Sequence, residues 1–279
     1  MHKPRYDTSK WLENFTRGLV AEMILRIWLE REISPLISNE YHLINLNIFN
    51  PPHSYHPDLK NPFFHLIGDT PDFAIAHIEQ PVDYGKGLIG LYQYDKLIIV
   101  IDAKHERGFH PNSTRGICER NCEKFNECIN KGAVRGWFPE SQVGQFRKFY
   151  DVLSSMKPKL GFIAWFPLPM LDRITTDVVK EDLVKWCYVC TVLGCDFLGK
   201  NHALFNLLEK HLNWEVFDRN IRWIPLDEKG KPVFEDVISV SSERGKYKNI
   251  CFDLNKTMPK NKFIEFLNEN VPFIFKKQV

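Results

Sequence analysis

IGDTPDFAIAHI at 67–78 and DKLIIVIDAKH at 95–105 decide the reading of this chain. LIIVI at 97–101 is an unbroken apolar, mostly β-branched run of the length expected for a strand covered on both faces. Charge interrupts this sheet-like pattern in two places, at Asp72 after Pro71 and at Asp102-Ala103-Lys104. Leaving one carboxylate buried and uncompensated costs roughly several kcal/mol, so pairing, a shifted pKa or a metal ion must resolve the conflict. Side chains along a strand repeat with period two, which places Asp102 and Lys104 on the same side. Two carboxylates from adjacent strands offer the hard oxygen ligands that Mg²⁺ favours, and a lysine beside them can orient or help deprotonate a water. Each residue also has a plainer reading. Asp72 follows the turn-rich Gly68-Asp69-Thr70-Pro71, where Asp caps turns; Asp102 and Lys104 can form a strand-end ion pair; Glu22 can pair with Arg26 at i,i+4.

Pro71-Asp72 followed by Asp102-Ala103-Lys104 resembles the signature of the PD-(D/E)XK nuclease superfamily. Two flanking segments extend the resemblance. Gly18-Leu19-Val20-Ala21-Glu22 is similar to the family's first core helix, whose glutamate approaches the metal, and a helical wheel puts Glu22 near Phe15 and Leu19 on an apolar side. Gln145-Phe146-Arg147-Lys148-Phe149 is similar to the Gln-x-x-x-Tyr helix of the RecB-like/Cas4-like branch, although Phe149 stands where that branch prefers tyrosine and the tyrosine here is Tyr150. The resemblance implies an α/β, restriction-endonuclease-like core of a mixed central sheet flanked by helices, over residues 1–174. It also implies a DNA nuclease dependent on Mg²⁺ or Mn²⁺, of endonuclease or exonuclease type. In that scheme Asp72 and Asp102 hold the metal and Glu22 supports it. Lys104 positions the attacking water, and Gln145 orients a neighbouring group or the scissile strand.

Cysteine forms a second constellation. Cys118, Cys122 and Cys128 fall in the charged segment RGICERNCEKFNECINKG, where burial in a core explains them poorly and thiolate ligation of a metal explains them better. They sit within a predicted insertion at 105–136 between core strand and core helix. Cys187, Cys190 and Cys195 lie in the apolar WCYVCTVLGC, where free cysteine behaves as a small hydrophobe. A fourth ligand is open among this second group, Cys251, His105 and His110, and both zinc and a [4Fe–4S] cluster are compatible with three thiolates plus one more ligand. Iron–sulfur clusters occur in the branch that the chain resembles, but there one cysteine precedes the core, whereas here none precedes Cys118.

Seven cysteines, an odd number, and no apolar leader in MHKPRYDTSKW argue against a disulfide framework and for a reducing, cytoplasmic setting. No apolar run approaches the roughly 18 residues that span a bilayer. A formal charge of +2 falls short of the basicity that by itself announces a nucleic-acid binder, so local cations such as Arg17, Arg147 and Lys148 must draw in a polyanion. The expected order is a helix over 9–32 ended by Pro35, sheet through 104, the insertion, a helix over 140–156 and the strand GFIAWFP. Residues 175–279 form a C-terminal α/β extension with helices at 177–190 and 201–212, a strand at 214–224, a turn at 227–232 and a last helix near 259–269. Three roles fit this part: extending the sheet, recognising DNA with Trp214, Phe217 and Trp223, or association, including a homo-oligomer. The rival functional class is a non-catalytic nucleic-acid-binding protein with a cysteine-bound structural metal.

Overall fold

The structure is a computed structural model, and it describes residues 8–46, 71–77, 96–106, 135–139, 158–167, 214–233, 238–241 and 248–276, together with Arg147, Tyr150, Glu209 and Leu212. Helix α1 spans Thr8–Glu32. Ile24, Leu25, Ile27, Trp28 and Leu29 are all buried, so the second half of this helix is enclosed nearly all round. One polar stripe at four-residue spacing, Glu22, Arg26 and Glu30, stays half-buried. Glu22 begins this half-buried stripe, and the side chains of Phe15 and Leu19, beside which the helical wheel places it, lie outside the described residues. The chain turns through 33–36, where Pro35 has no N–H with which to continue the helix.

Strands β1 (Tyr41–Asn45), β2 (Phe73–His77), β3 (Lys96–Glu106), β5 (Leu160–Pro167) and β6 (Arg222–Leu226) make a five-stranded sheet in the order β1-β2-β3-β5-β6. The sheet is mixed, because β3 and β5 run parallel while the other neighbours are antiparallel. β4 (Arg135–Pro139), β7 (Ile238–Ser241) and β8 (Lys248–Asp253) form a separate antiparallel sheet of order β4-β8-β7. Trp165 of the first sheet meets Phe252 of the second edge-to-face at 5.7 Å. The α/β class read from the sequence holds, with strands at both predicted core positions and GFIAWFP as β5.

Alternation along the strands separates two faces. Phe73, Ile99, Ile101, Phe162 and Ala164 join the core formed with α1 and with helix α3 (Lys260–Asn270). By the same period, Val100, Asp102 and Lys104 of β3 belong to the opposite face. Within the core Trp223 stacks on Phe263 with ring planes 4° apart, and Phe162 meets Phe263 edge-on at 5.0 Å. Such pairs add about 0.5–1.5 kcal/mol each beyond the area they bury.

Residues 214–224, expected as one strand, instead form helix α2 (Trp214–Asn220) followed by β6. The aromatic residues misled the reading: Trp214 and Phe217 are three apart, meet edge-on at 5.9 Å and share a helix face, while Glu215 pairs with Arg219 at i,i+4. Phe217 and Trp223 are fully buried, which removes them as a base-stacking platform. Of the roles open to the C-terminal part, extension of the sheet is realised in β6, and α3 closes the core. Asp218 accepts hydrogen bonds from Trp28 Nε1 at 2.6 Å and Lys260 Nζ at 2.8 Å, and Lys260 also pairs with Glu32, which ties α1, α2 and α3 together. The turn after β6 is closed by Asp227, whose carboxylate accepts from the N–H groups of Lys229 and Lys231, with Gly230 at a φ of 71°.

Arg147 and Tyr150 are helical, as expected for that stretch. Tyr150 is buried against β5: a Cβ placed on Gly161 would lie 2.5 Å from its hydroxyl oxygen and 3.0 Å from Leu226 Cδ1. Gly161→Ala is therefore expected to destabilise the protein by about 1–3 kcal/mol in urea unfolding. The penalty should shrink in a Tyr150→Phe background, because the clashing atom is gone; strict additivity of the two changes would contradict this packing.

Candidate active site

β3 outruns β2, and the site is built on the overhang. The β2–β3 pairing ends at Phe73 opposite Ile101, so the main-chain N–H of Ala103 lies past the ladder and needs another acceptor. Asp72, immediately before β2, supplies it: Oδ2 accepts from Ala103 N–H at 2.6 Å. Its own carbonyl accepts from Leu46 N–H at 2.8 Å, which fixes the backbone from the β1 side. Asp72 is buried at 7 % exposure and its carboxylate spans to the neighbouring strand. Asp102 is still more enclosed, at 3 %.

Lys104 bends back over its own strand and pairs its ammonium with Oδ2 of Asp102. Period two on β3 makes this possible, since residues 102 and 104 leave the strand on one face. The ammonium meets that oxygen as an ion pair, while no donor among the described residues gives it a well-directed hydrogen bond. Burial pushes the Asp102 carboxyl up to about 7, with the Asp72 charge adding to the rise and Lys104 opposing it. Burial pulls Lys104 down, but the charges of Asp102, Asp72 and Glu22 outweigh it and leave the lysine above its ordinary value. The carboxylates around Lys104 therefore favour its protonated form.

Four of the residues expected at one site, Glu22, Asp72, Asp102 and Lys104, come together from α1, the lead-in to β2, and β3. Gln145, Cys118, Cys122 and Cys128 lie outside the described residues. So do Cys187, Cys190, Cys195 and His110 among the candidate fourth ligands. The plain pairing of Glu22 with Arg26 has competition, for Arg26 Nε donates to Glu30 at 3.0 Å and the Glu22 charge acts on Lys104. The sequence reading missed the main-chain N–H of Ala103 as the group that fixes Asp72; its only trace was that the apolar run at 97–101 continues into a further strand-compatible stretch.

A divalent ion fits these residues. Among the described residues no three His, Cys, Asp or Glu side chains form a preassembled cage. Mg²⁺ rarely uses one, and is commonly held by one or two carboxylates while its remaining positions go to water and phosphate oxygens. Asp72 and Asp102 are two carboxylates of the kind such a site uses, and among the described residues Oδ2 of Asp102 meets the lysine ammonium alone. No family model, no curated protein and no solved structure matches this chain.

The raised Asp102 value makes stability depend on pH with a defined sign. The folded chain keeps a proton that the unfolded chain releases near 3.8; the resulting stabilisation is complete below that pH and is lost as pH rises towards about 7. Asp102→Asn cannot release this proton. Urea unfolding in chelator should show the variant gaining on the native protein by about 1–3 kcal/mol between the acidic end of this window and slightly alkaline pH. A difference that stays constant across the range would mean that Asp102 titrates as an ordinary carboxylate.

Proposed function

We propose that this protein is a metal-dependent DNA nuclease of the PD-(D/E)XK type, hydrolysing phosphodiester bonds. The observation that carries the reading is the joining of Asp72, Asp102 and Lys104 in one buried cluster at the end of an otherwise apolar sheet, with the Glu22 charge acting on it. The mixed order of the five strands, with α1 packed on one face, is compatible with a restriction-endonuclease-like core.

Asp72 and Asp102 would hold Mg²⁺ or Mn²⁺, with Glu22 in support. A divalent ion there polarises a phosphoryl oxygen and lowers the pKa of a bound water. The chain's own part is positional. Ala103 N–H fixes the Asp72 carboxylate, so this ligand does not have to be ordered when a cation arrives. Lys104, cationic and tied to Asp102, presents N–H donors to the attacking water or to the oxygen on which charge builds. Gln145 is proposed to orient the scissile strand. Cys118, Cys122 and Cys128 are proposed as thiolate ligands of zinc or a [4Fe–4S] cluster, which metal analysis and the visible absorption of the purified protein distinguish.

Purified protein, incubated with supercoiled plasmid and end-labelled single-stranded and duplex DNA, should cleave with Mg²⁺ or Mn²⁺ and not in EDTA. Asp102→Ala and Lys104→Ala should each lower the rate at least about 100-fold while retaining DNA binding. Discrete fragments would mark an endonuclease and shortening from the ends an exonuclease. Metal-independent DNA retention without cleavage under any condition would replace this reading with a non-catalytic nucleic-acid-binding protein.

A further inference from the structure

The register across the central sheet carries the row of Lys104 further than the four clustered residues. Lys104 of β3 is opposite Trp165 of β5, and Trp165 is opposite Arg222 of β6. Directly opposed residues leave a sheet on the same face, so Lys104 and Arg222 flank Trp165 on the face that carries Asp102, their backbones about 10 Å apart at two strand spacings. Trp165 is completely buried, and Phe252 packs on it at 5.7 Å. The two cations therefore stand on either side of a rigid aromatic wall.

Arg222 is an unusual cation for its position. It is partly buried, and burial lowers the pKa of its guanidinium. Its two hydrogen bonds among the described residues leave from one nitrogen, Nη1, to the carbonyls of Arg219 at 2.7 Å and Ile221 at 2.9 Å, where α2 ends. Among the described residues no carboxylate pairs with it. The neighbouring Arg219, by contrast, is exposed and paired with Glu215. Capping the end of α2 uses only one arm of the fork; Nε and Nη2 keep the geometry that grips two oxygens of a phosphate. A half-desolvated arginine with no acid partner among the described residues, in the row of the candidate catalytic lysine, is most simply completed by an external anion.

We propose that Arg222 is a substrate-positioning residue that binds a DNA backbone phosphate other than the scissile one, on the far side of Trp165 from Lys104. The assignment rests on the nuclease reading and adds to it a second phosphate contact, about two strand spacings from Lys104.

The test measures binding by fluorescence anisotropy of labelled duplex over a salt series, in an Asp102→Asn background with Mg²⁺. Adding Arg222→Gln should raise Kd about three- to tenfold and reduce the slope of log K against log salt by about 0.9, the contribution of one phosphate contact. Arg222→Lys should keep the slope and still weaken binding, because the charge remains and the fork is lost. Arg219→Ala should leave both quantities unchanged. An unaltered Kd and slope in Arg222→Gln overturns the assignment, whatever happens to thermal stability, and leaves Arg222 as a cap of α2. If Arg222→Gln does not fold, an unaltered Kd in Arg222→Lys overturns it equally. The two readings fail separately: cleavage by the native protein with a flat Arg222 series removes only the phosphate contact, while neither cleavage nor salt-dependent binding by the native protein removes the nuclease and Arg222 with it.

Discussion

The ion pair between Lys104 and Asp102, next to the buried Asp72, is the constraint around which this structure is arranged. Two carboxylates and an ammonium at the end of an apolar sheet cannot be left to relax. Each needs a partner, because the cost of a buried lone charge exceeds most single contributions to stability. β3 meets this need with elementary geometry. Period two stacks Asp102 and Lys104 on one face, and the strand's overhang frees the Ala103 N–H to hold Asp72. The α1 face of the sheet remains apolar and carries the core, so the charged face is supported from behind by Ile99, Ile101 and Ala103.

The electrostatics of the cluster follow from this crowding. Burial and Asp72 push Asp102 towards its protonated form against the pull of Lys104, while Asp102, Asp72 and Glu22 raise Lys104 against the effect of burial. Both groups are thus displaced in the same direction, towards keeping their protons.

The core of this picture was legible because its signals are local. LIIVI reads as a covered strand whatever surrounds it, and Asp-x-Lys declares a shared face by spacing alone. Helix α1 and strand β5 were likewise visible in composition and periodicity, and the turn at 227–232 in its Asp and Gly. What escaped depends on partners distant in sequence. Trp214, Phe217 and Trp223 look like strand aromatics until one sees that the first two lie on one turn of helix and that Trp223 is stacked by Phe263, forty residues later in the chain. The tie from Asp72 to Ala103 escaped for the same reason: main-chain donors leave no imprint on side-chain identity.

The lock of Asp218 and Lys260 on α1 bears on the order in which the fold is assembled. Some two hundred residues of chain separate Glu22 from the residues that clamp its helix and from the strand β6 that closes the sheet. Contacts of such long sequence separation form late, after the ends of a large loop have met. Asp72, Asp102 and Lys104 are joined across the neighbouring strands β2 and β3, whereas the helix that carries Glu22 is secured only once the segment through α3 has folded onto it.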